Sequence, residues 1–226
     1  MRAILKGVAA VVLAGIGAPV LASGGAHVID DAAVETPGTC HVETWVTLTS
    51  DDATLVNVGP ACTRLSWPNV EFGGFIAHSR TPGSDDTLVG LTPKFVFRSE
   101  DKGVGIGLAT SVGYSVTHGR FETASVVMPL TIPAGRRVRV NLNIGWQWSR
   151  ATDSHDLFVG GQAEVALTGK LTLMVESFTR DQGNPGGQAG LRWTPDKGNV
   201  DLDLIGGRYV DGVTRNAITF GVTVRR

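Results

Sequence analysis

The run from Arg137 to Trp148, RVRVNLNIGWQW, puts Val138, Val140, Leu142, Ile144, Trp146 and Trp148 on even positions and Arg137, Arg139, Asn141, Asn143, Gly145 and Gln147 on odd ones. Successive side chains of an extended chain point to opposite faces, so this period of two describes a strand with two chemically opposed surfaces. Strands in globular proteins are usually about five or six residues long. A twelve-residue strand with one wholly apolar and one polar face therefore needs surroundings that demand length.

The same alternation recurs along the chain. Val104, Ile106, Leu108, Val112, Tyr114 and Val116 alternate with Gly, Ala and Ser, and Ile218, Phe220, Val222 and Val224 alternate with Thr219, Gly221, Thr223 and Arg225. Strands are predicted at 40–49, 54–66, 69–79, 87–98, 104–117, 121–132, 137–149, 156–168, 170–180, 187–194, 199–209 and 215–225. Turn signals such as Thr81-Pro82-Gly83-Ser84, Pro133-Ala134-Gly135 and Pro195-Asp196-Lys197-Gly198 separate them.

Alternation alone leaves two architectures: a soluble barrel or sandwich with the apolar face inside, or a transmembrane barrel with that face in lipid. Four features favour the second. Ten tilted residues span roughly 25 Å, the height of a lipid-facing band. Trp67, Trp146, Trp148, Trp193 and Tyr209 fall at strand ends, where an aromatic girdle belongs. The polar faces are rich in Gly, Ser, Thr and Asn, and after Lys6 only Lys94, Lys102, Lys170 and Lys197 remain, unlike a lysine-studded soluble surface. Finally, turns near 80–86, 149–155, 181–186 and 210–214 read as longer than the opposite set near 67–69, 99–103, 133–136, 168–170 and 195–198, the asymmetry of outer-membrane barrels with a periplasmic N-terminus. The expected fold is all-β: an antiparallel up-and-down transmembrane barrel of about 12 strands, with 10 strands and a capping first hairpin as the alternative.

The N-terminus supplies the address. Arg2 and Lys6 precede an apolar run from Gly7 to about Leu21 and small-residue cleavage sites. We read residues 1–22 as a signal peptide, with cleavage as late as 26, and 23–39 as a periplasmic arm leading into the barrel at 40–226. The run falls short of the roughly 20 residues a spanning helix needs. Net charge is −1 with no basic block, which excludes nucleic acid as an expected partner.

The stretches NLNIGWQW, GLRWTPDKGNVDLDLIGGR and AITFGVTVRR resemble a group of Gram-negative outer-membrane barrels labelled with the MetA pathway of phenol degradation or as outer-membrane transporters. The likeness covers about 137–226 and, more loosely, 87–132. It implies a small barrel in outer-membrane lipid that passes small, often hydrophobic, molecules and is inserted by the barrel-assembly machinery. It brings no catalytic residues. Such chains usually end in an aromatic residue; this one ends Val224-Arg225-Arg226, which leaves Phe220 to serve.

Cys40 and Cys62 are equidistant from Asp51, the centre of the first turn signal. An antiparallel hairpin there sets them face to face, so an exported chain is expected to bridge them. Arg137, Arg139, Glu164, Glu176, Arg192, Asp201 and Asp203 are expected to line the lumen, Glu176 opposite Arg192 and Arg192 opposite Asp201. Such a row either fills a narrow barrel with satisfied ion pairs or lines a selective channel. His41 and Glu43 share a face, but a lumen pair is the better reading than a metal site. His118 or His155 near Ser115 or Ser154 is the one arrangement that could carry nucleophilic chemistry at a rim. No cofactor, metal or catalytic residue is expected. The expected function is passive passage of small molecules; the alternative is a structural or interaction barrel without transport, with a rim-site enzyme or a soluble periplasmic barrel behind both.

Overall fold

The computed structural model describes residues 26–195 and 198–226; the signal-peptide reading of 1–22 lies outside the described residues. Thirteen strands form one antiparallel sheet: β1 (Cys40–Thr49), β2 (Thr54–Thr63), β3 (Val70–Thr81), β4 (Ser84–Leu91), β5 (Lys94–Arg98), β6 (Gly105–Ser115), β7 (Arg120–Pro133), β8 (Val138–Ser149), β9 (Ser154–Ala166), β10 (Leu171–Arg180), β11 (Gly186–Trp193), β12 (Val200–Arg208) and β13 (Ala217–Arg225). Strands pair with their neighbours in sequence except β4 and β5, which do not pair with each other, and β13 returns to β1 in the register Trp45↔Gly221, so the sheet closes on itself. Closure leaves no free strand edge, the condition for spanning lipid with strands.

The barrel has twelve staves. The segment predicted as one strand at 87–98 is broken at Thr92-Pro93 into β4 and β5, which both lie between β3 and β6. Pro93 has no N–H to give to the ladder, which accounts for the interruption. The first hairpin pairs with both β13 and β3, so it is part of the wall and not a cap.

The faces follow the alternation. Ile144 is 46% exposed and Asn143 beside it only 3%. Leu204 and Phe220 point outward likewise, while Asp203, Thr219 and Thr223 are buried inside. Polar groups thus fill the interior, and the apolar band faces out, as a lipid-embedded barrel requires.

The expected asymmetry of turns is absent. At the end of the barrel where Cys40 enters, the connections 64–69, 99–104, 134–137, 167–170 and 194–199 are of four to six residues. At the other end 50–53, 82–83, 116–119, 150–153 and 181–185 are equally short, and only 209–216 is long. Strands β3 and β4 continue into a two-residue turn at Pro82-Gly83, with Thr81 opposite Ser84. The Pro-Gly-Ser-Asp cluster had suggested a broader loop, whereas Gly83 at φ 94° needs only a tight one.

Candidate functional site: the lumen and the arm inside it

The arm, expected to be periplasmic, packs inside the barrel over its described part. Residues 26–39 turn back from the Cys40 end into the barrel. Cys40 pairs with Cys62 across the first hairpin and is disulfide-bonded to it, which fixes the root of this segment. From there the chain rises to His27 near mid-barrel. Having no regular structure, it gives its backbone groups to inward side chains. The Ala32 N–H donates to Thr131 Oγ1 at 2.8 Å, and the Asp30 N–H donates to Asn143 Oδ1 at 2.9 Å while Asn143 Nδ2 donates back to the Asp30 carbonyl at 2.8 Å. The N–H groups of Val28 and Ile29 donate to Glu176 Oε2 at 3.0 and 3.3 Å. Ile29 is fully buried against Phe158 and Phe178, an apolar cluster inside a polar lumen.

Charge seats the arm as well. Lys94 Nζ donates to Asp30 at 2.8 Å and Asp31 at 2.9 Å; Arg139 Nη2 donates to Asp31 at 2.8 Å; and Arg225 Nε donates to Glu35 at 2.6 Å. Burial pushes the Asp30 carboxyl up to about 6, against the pull of the Lys94 ammonium.

The expected lumen residues fall into place unevenly. Arg139, 15% exposed in its side chain, meets Glu164 at 3.5 Å and Glu100 at 3.2 Å besides Asp31. Arg192 donates to both oxygens of Asp203, at 2.8 and 2.9 Å, and stands 4.0 Å from Asp201, which Arg225 approaches at 2.8 Å. The expected pairing of Glu176 was off by four residues and that of Arg192 with β12 by two. Glu176 faces Gln188, Thr172 faces Arg192, and Arg192 faces Asp203. An even slip preserves the face, so parity in the sequence is blind to it. Glu176 instead holds the arm through His27 and accepts from Gln162 and Gln188. Arg137 stands exposed in the turn before β8. Trp67 and Trp193 sit outward at the Cys40 end, and Trp146, Trp148 and Tyr209 lie at the other.

At the far rim Ser115 Oγ donates to Asp86 at 2.6 Å, and His118 Nδ1 lies 3.1 Å from the same oxygen. A nucleophilic relay needs one imidazole nitrogen for the hydroxyl and the other for the acid. Here Nδ1 faces both, standing 3.6 Å from Asp86. Ser115 Oγ also accepts the His118 backbone N–H at 2.9 Å, which makes this cluster the clasp of a tight turn. Ser154 is buried inside, and His155 lies outside, stacked on Trp146 at 5.8 Å.

Two properties of the lumen were not read from the sequence. First, the arm occupies one side only. A cavity of about 430 Å³ remains between it and the β1–β7 wall, lined by Glu43, Trp45, Glu71, Phe75, Ser111 and Ser125 among others. Second, the interior is strongly acidic although the chain is nearly neutral. Among the described residues, besides the half-exposed Arg120 paired with Glu122 at the far rim, five cations point inward: Lys94, Arg139, Arg180, Arg192 and Arg225. They face Asp30, Asp31 and Glu35 of the arm and Glu43, Glu71, Glu100, Asp156, Glu164, Glu176, Asp201 and Asp203 of the barrel. Other arginines, such as Arg64, Arg98, Arg136 and Arg150, are exposed at the two ends.

A family model described as "Uncharacterised conserved protein UCP029691" matches residues 10–226. No curated protein sequence matches the chain. Among solved structures, a KdgM porin superposes with TM-score 0.64 at 10% identity, covering 81% of this chain and 98% of its own. The KdgM porin in complex with disordered oligogalacturonate gives 0.61 at 10% identity, over 82% and 98% of the two chains. A NanC porin gives 0.55 at 10% identity, again over 82% and 98%. At such identities the likeness is one of fold, which is that of outer-membrane porins.

Proposed function

The chain belongs to the family of uncharacterised conserved protein UCP029691, and we propose that it is a passive conduit for small molecules in the outer membrane of a Gram-negative bacterium. The observation that carries this reading is the cavity of about 430 Å³ inside a closed barrel whose outer face is apolar. That volume lies in the range of small-molecule sites, roughly 300–1,000 Å³. The porin fold supports the same reading, as does the resemblance of 137–226 to barrels labelled with the MetA pathway of phenol degradation. We take the protein to be a channel and not an enzyme, since the Ser115–His118–Asp86 cluster is arranged as a turn.

The seated arm supports a second reading, a structural barrel without transport, because it closes the β8–β13 side of the lumen. Planar-bilayer recording of refolded protein separates the two. Discrete openings are expected for the conduit; persistent silence at every voltage would leave the structural barrel standing.

A further inference from the structure

We infer that the open side of the lumen is a binding site for a small organic cation, an amine or guanidine on an apolar body; this rests on the conduit reading and names its cargo class. The cavity is bounded by Asp30, Glu43 and Glu71, with Lys94 the one lysine or arginine among its lining residues, beside His27 and His41. That lysine is already held by Asp30 and by the fully buried Asp31. Every other inward cation but Arg180 and the rim Arg120 is engaged by two or more carboxylates at the Cys40 end, so the field over the cavity is negative. Low-dielectric walls strengthen such a field and concentrate ions of the opposite sign.

An independent observation points to a polar group in the cargo. His27 lines the cavity with its side chain only 2% exposed, and its Nε2 has no hydrogen-bond partner. The other ring nitrogen, Nδ1, is held 2.5 Å from Glu176, which also accepts from Gln162, Gln188, Val28 and Ile29. A buried polar atom left unmet is costly, and a polar group on an incoming molecule meets it.

The remaining walls suit an apolar body. Trp45, Phe75, Phe158 and Val127 share the cavity with the carboxylates. Aromatic faces attract cations, and their area shelters carbon. Among the described residues no three His, Cys, Asp or Glu side chains converge as metal ligands; the carboxylates are spread around a space that suits a larger ion.

The test uses three probes with one body: phenethylamine, 2-phenylethanol and phenylacetate. Calorimetric titration of the refolded full chain is expected to show phenethylamine binding about tenfold or more tightly than phenylacetate, with the neutral alcohol between, as one favourable charge contact would give. The double variant Glu43→Gln/Glu71→Gln should lose the preference for charge and keep binding of the alcohol. A wild-type preference for phenylacetate, or no charge preference at all, overturns the inference without needing any variant. Bilayer recording in a KCl gradient keeps the two claims apart. Anion-selective openings would leave the conduit standing and sink the cation site, whereas a silent protein that binds phenethylamine selectively would sink the conduit alone.

Discussion

The two sides of the lumen are built from the same alternation and end in opposite states. On β8–β13 the inward residues include many long polar ones, which reach partners on the arm or the neighbouring strand: Asn141 to Gln162 at 2.7 Å, Gln188 to Glu176 at 3.0 Å, Arg192 to Asp203 at 2.8 Å. These groups are almost wholly buried, Asn141 and Asp201 completely so. On β1–β7 the inward residues include Ala109, Ser111, Ser125 and Gly59, too short to cross the lumen, and a void remains beside them. The difference teaches that a polar strand face specifies an interior but not its filling. Side-chain length and the docking of fourteen arm residues, 26–39, decide which side becomes floor and which becomes passage.

The comparison is broken most forcefully at its ionic centre. Arg139→Leu strips the partner from Asp31, Glu100 and Glu164 at once. Removing one member of a buried pair typically costs about 3–5 kcal/mol. Glu43→Gln, on the open side, should cost under about 1 kcal/mol, since it borders the open cavity and keeps part of its side chain exposed. Urea midpoints of the heat-modifiable folded band measure both; equal losses would mean that the two sides are not distinct.

The same contrast holds for bulk. Both Phe158 and Phe75 touch the cavity, but Phe158 is 1% exposed and carries Ile29, whereas Phe75 is only half-buried. Phe158→Ala should cost about 3–4 kcal/mol, and Phe75→Ala about half that, because much of its surface never left solvent. On the outer face of the packed side, Ile144→Arg carries the lipid penalty of about 2–4 kcal/mol for refolding into vesicles. Labelled Ile144→Cys should be quenched by lipid-borne quenchers and labelled Asn143→Cys by water-borne ones. Lipid quenching at neither site would sink the membrane reading.

What was legible in the sequence was whatever a period of two can carry. The strand faces, the closed all-β architecture and the Cys40–Cys62 hairpin follow from alternation and a turn centre. Register does not, since Arg192 opposite Asp201 and Arg192 opposite Asp203 satisfy the same parity. Stave breaks are half legible; Pro93 was visible, but the apolar run around it masked its effect. The arm was illegible for a different reason. His27, Asp30, Asp31 and Glu35 look like a soluble leader until Lys94, Arg139 and Arg225 are known to converge above Cys40. Those partners are set by register around the whole barrel, and no local pattern records them. One local signal did exist: Gly160 interrupts the inward Phe158–Gln162 row with a residue that has no side chain.

That glycine gives the subtlest test of the comparison. A Cβ at Gly160 would lie 2.4 Å from Ile29 Cδ1 and 2.7 Å from Phe178 Cβ. The wall is therefore cut away where the arm's one large apolar side chain seats. Gly160→Ala should cost about 1–3 kcal/mol, the usual range for overpacking a filled site. Ile29→Ala alone should cost a comparable amount by emptying the Phe158–Phe178 pocket. If the arm is what Gly160 accommodates, the double variant recovers part of the sum, because the new methyl enters space that the lost side chain vacated. Loosening the arm should also enlarge the bilayer conductance of Gly160→Ala without changing its ion preference, since no charge has moved. Strictly additive melting losses, with conductance unchanged, would show that the packed side stands without the arm and that the division of the lumen has another cause.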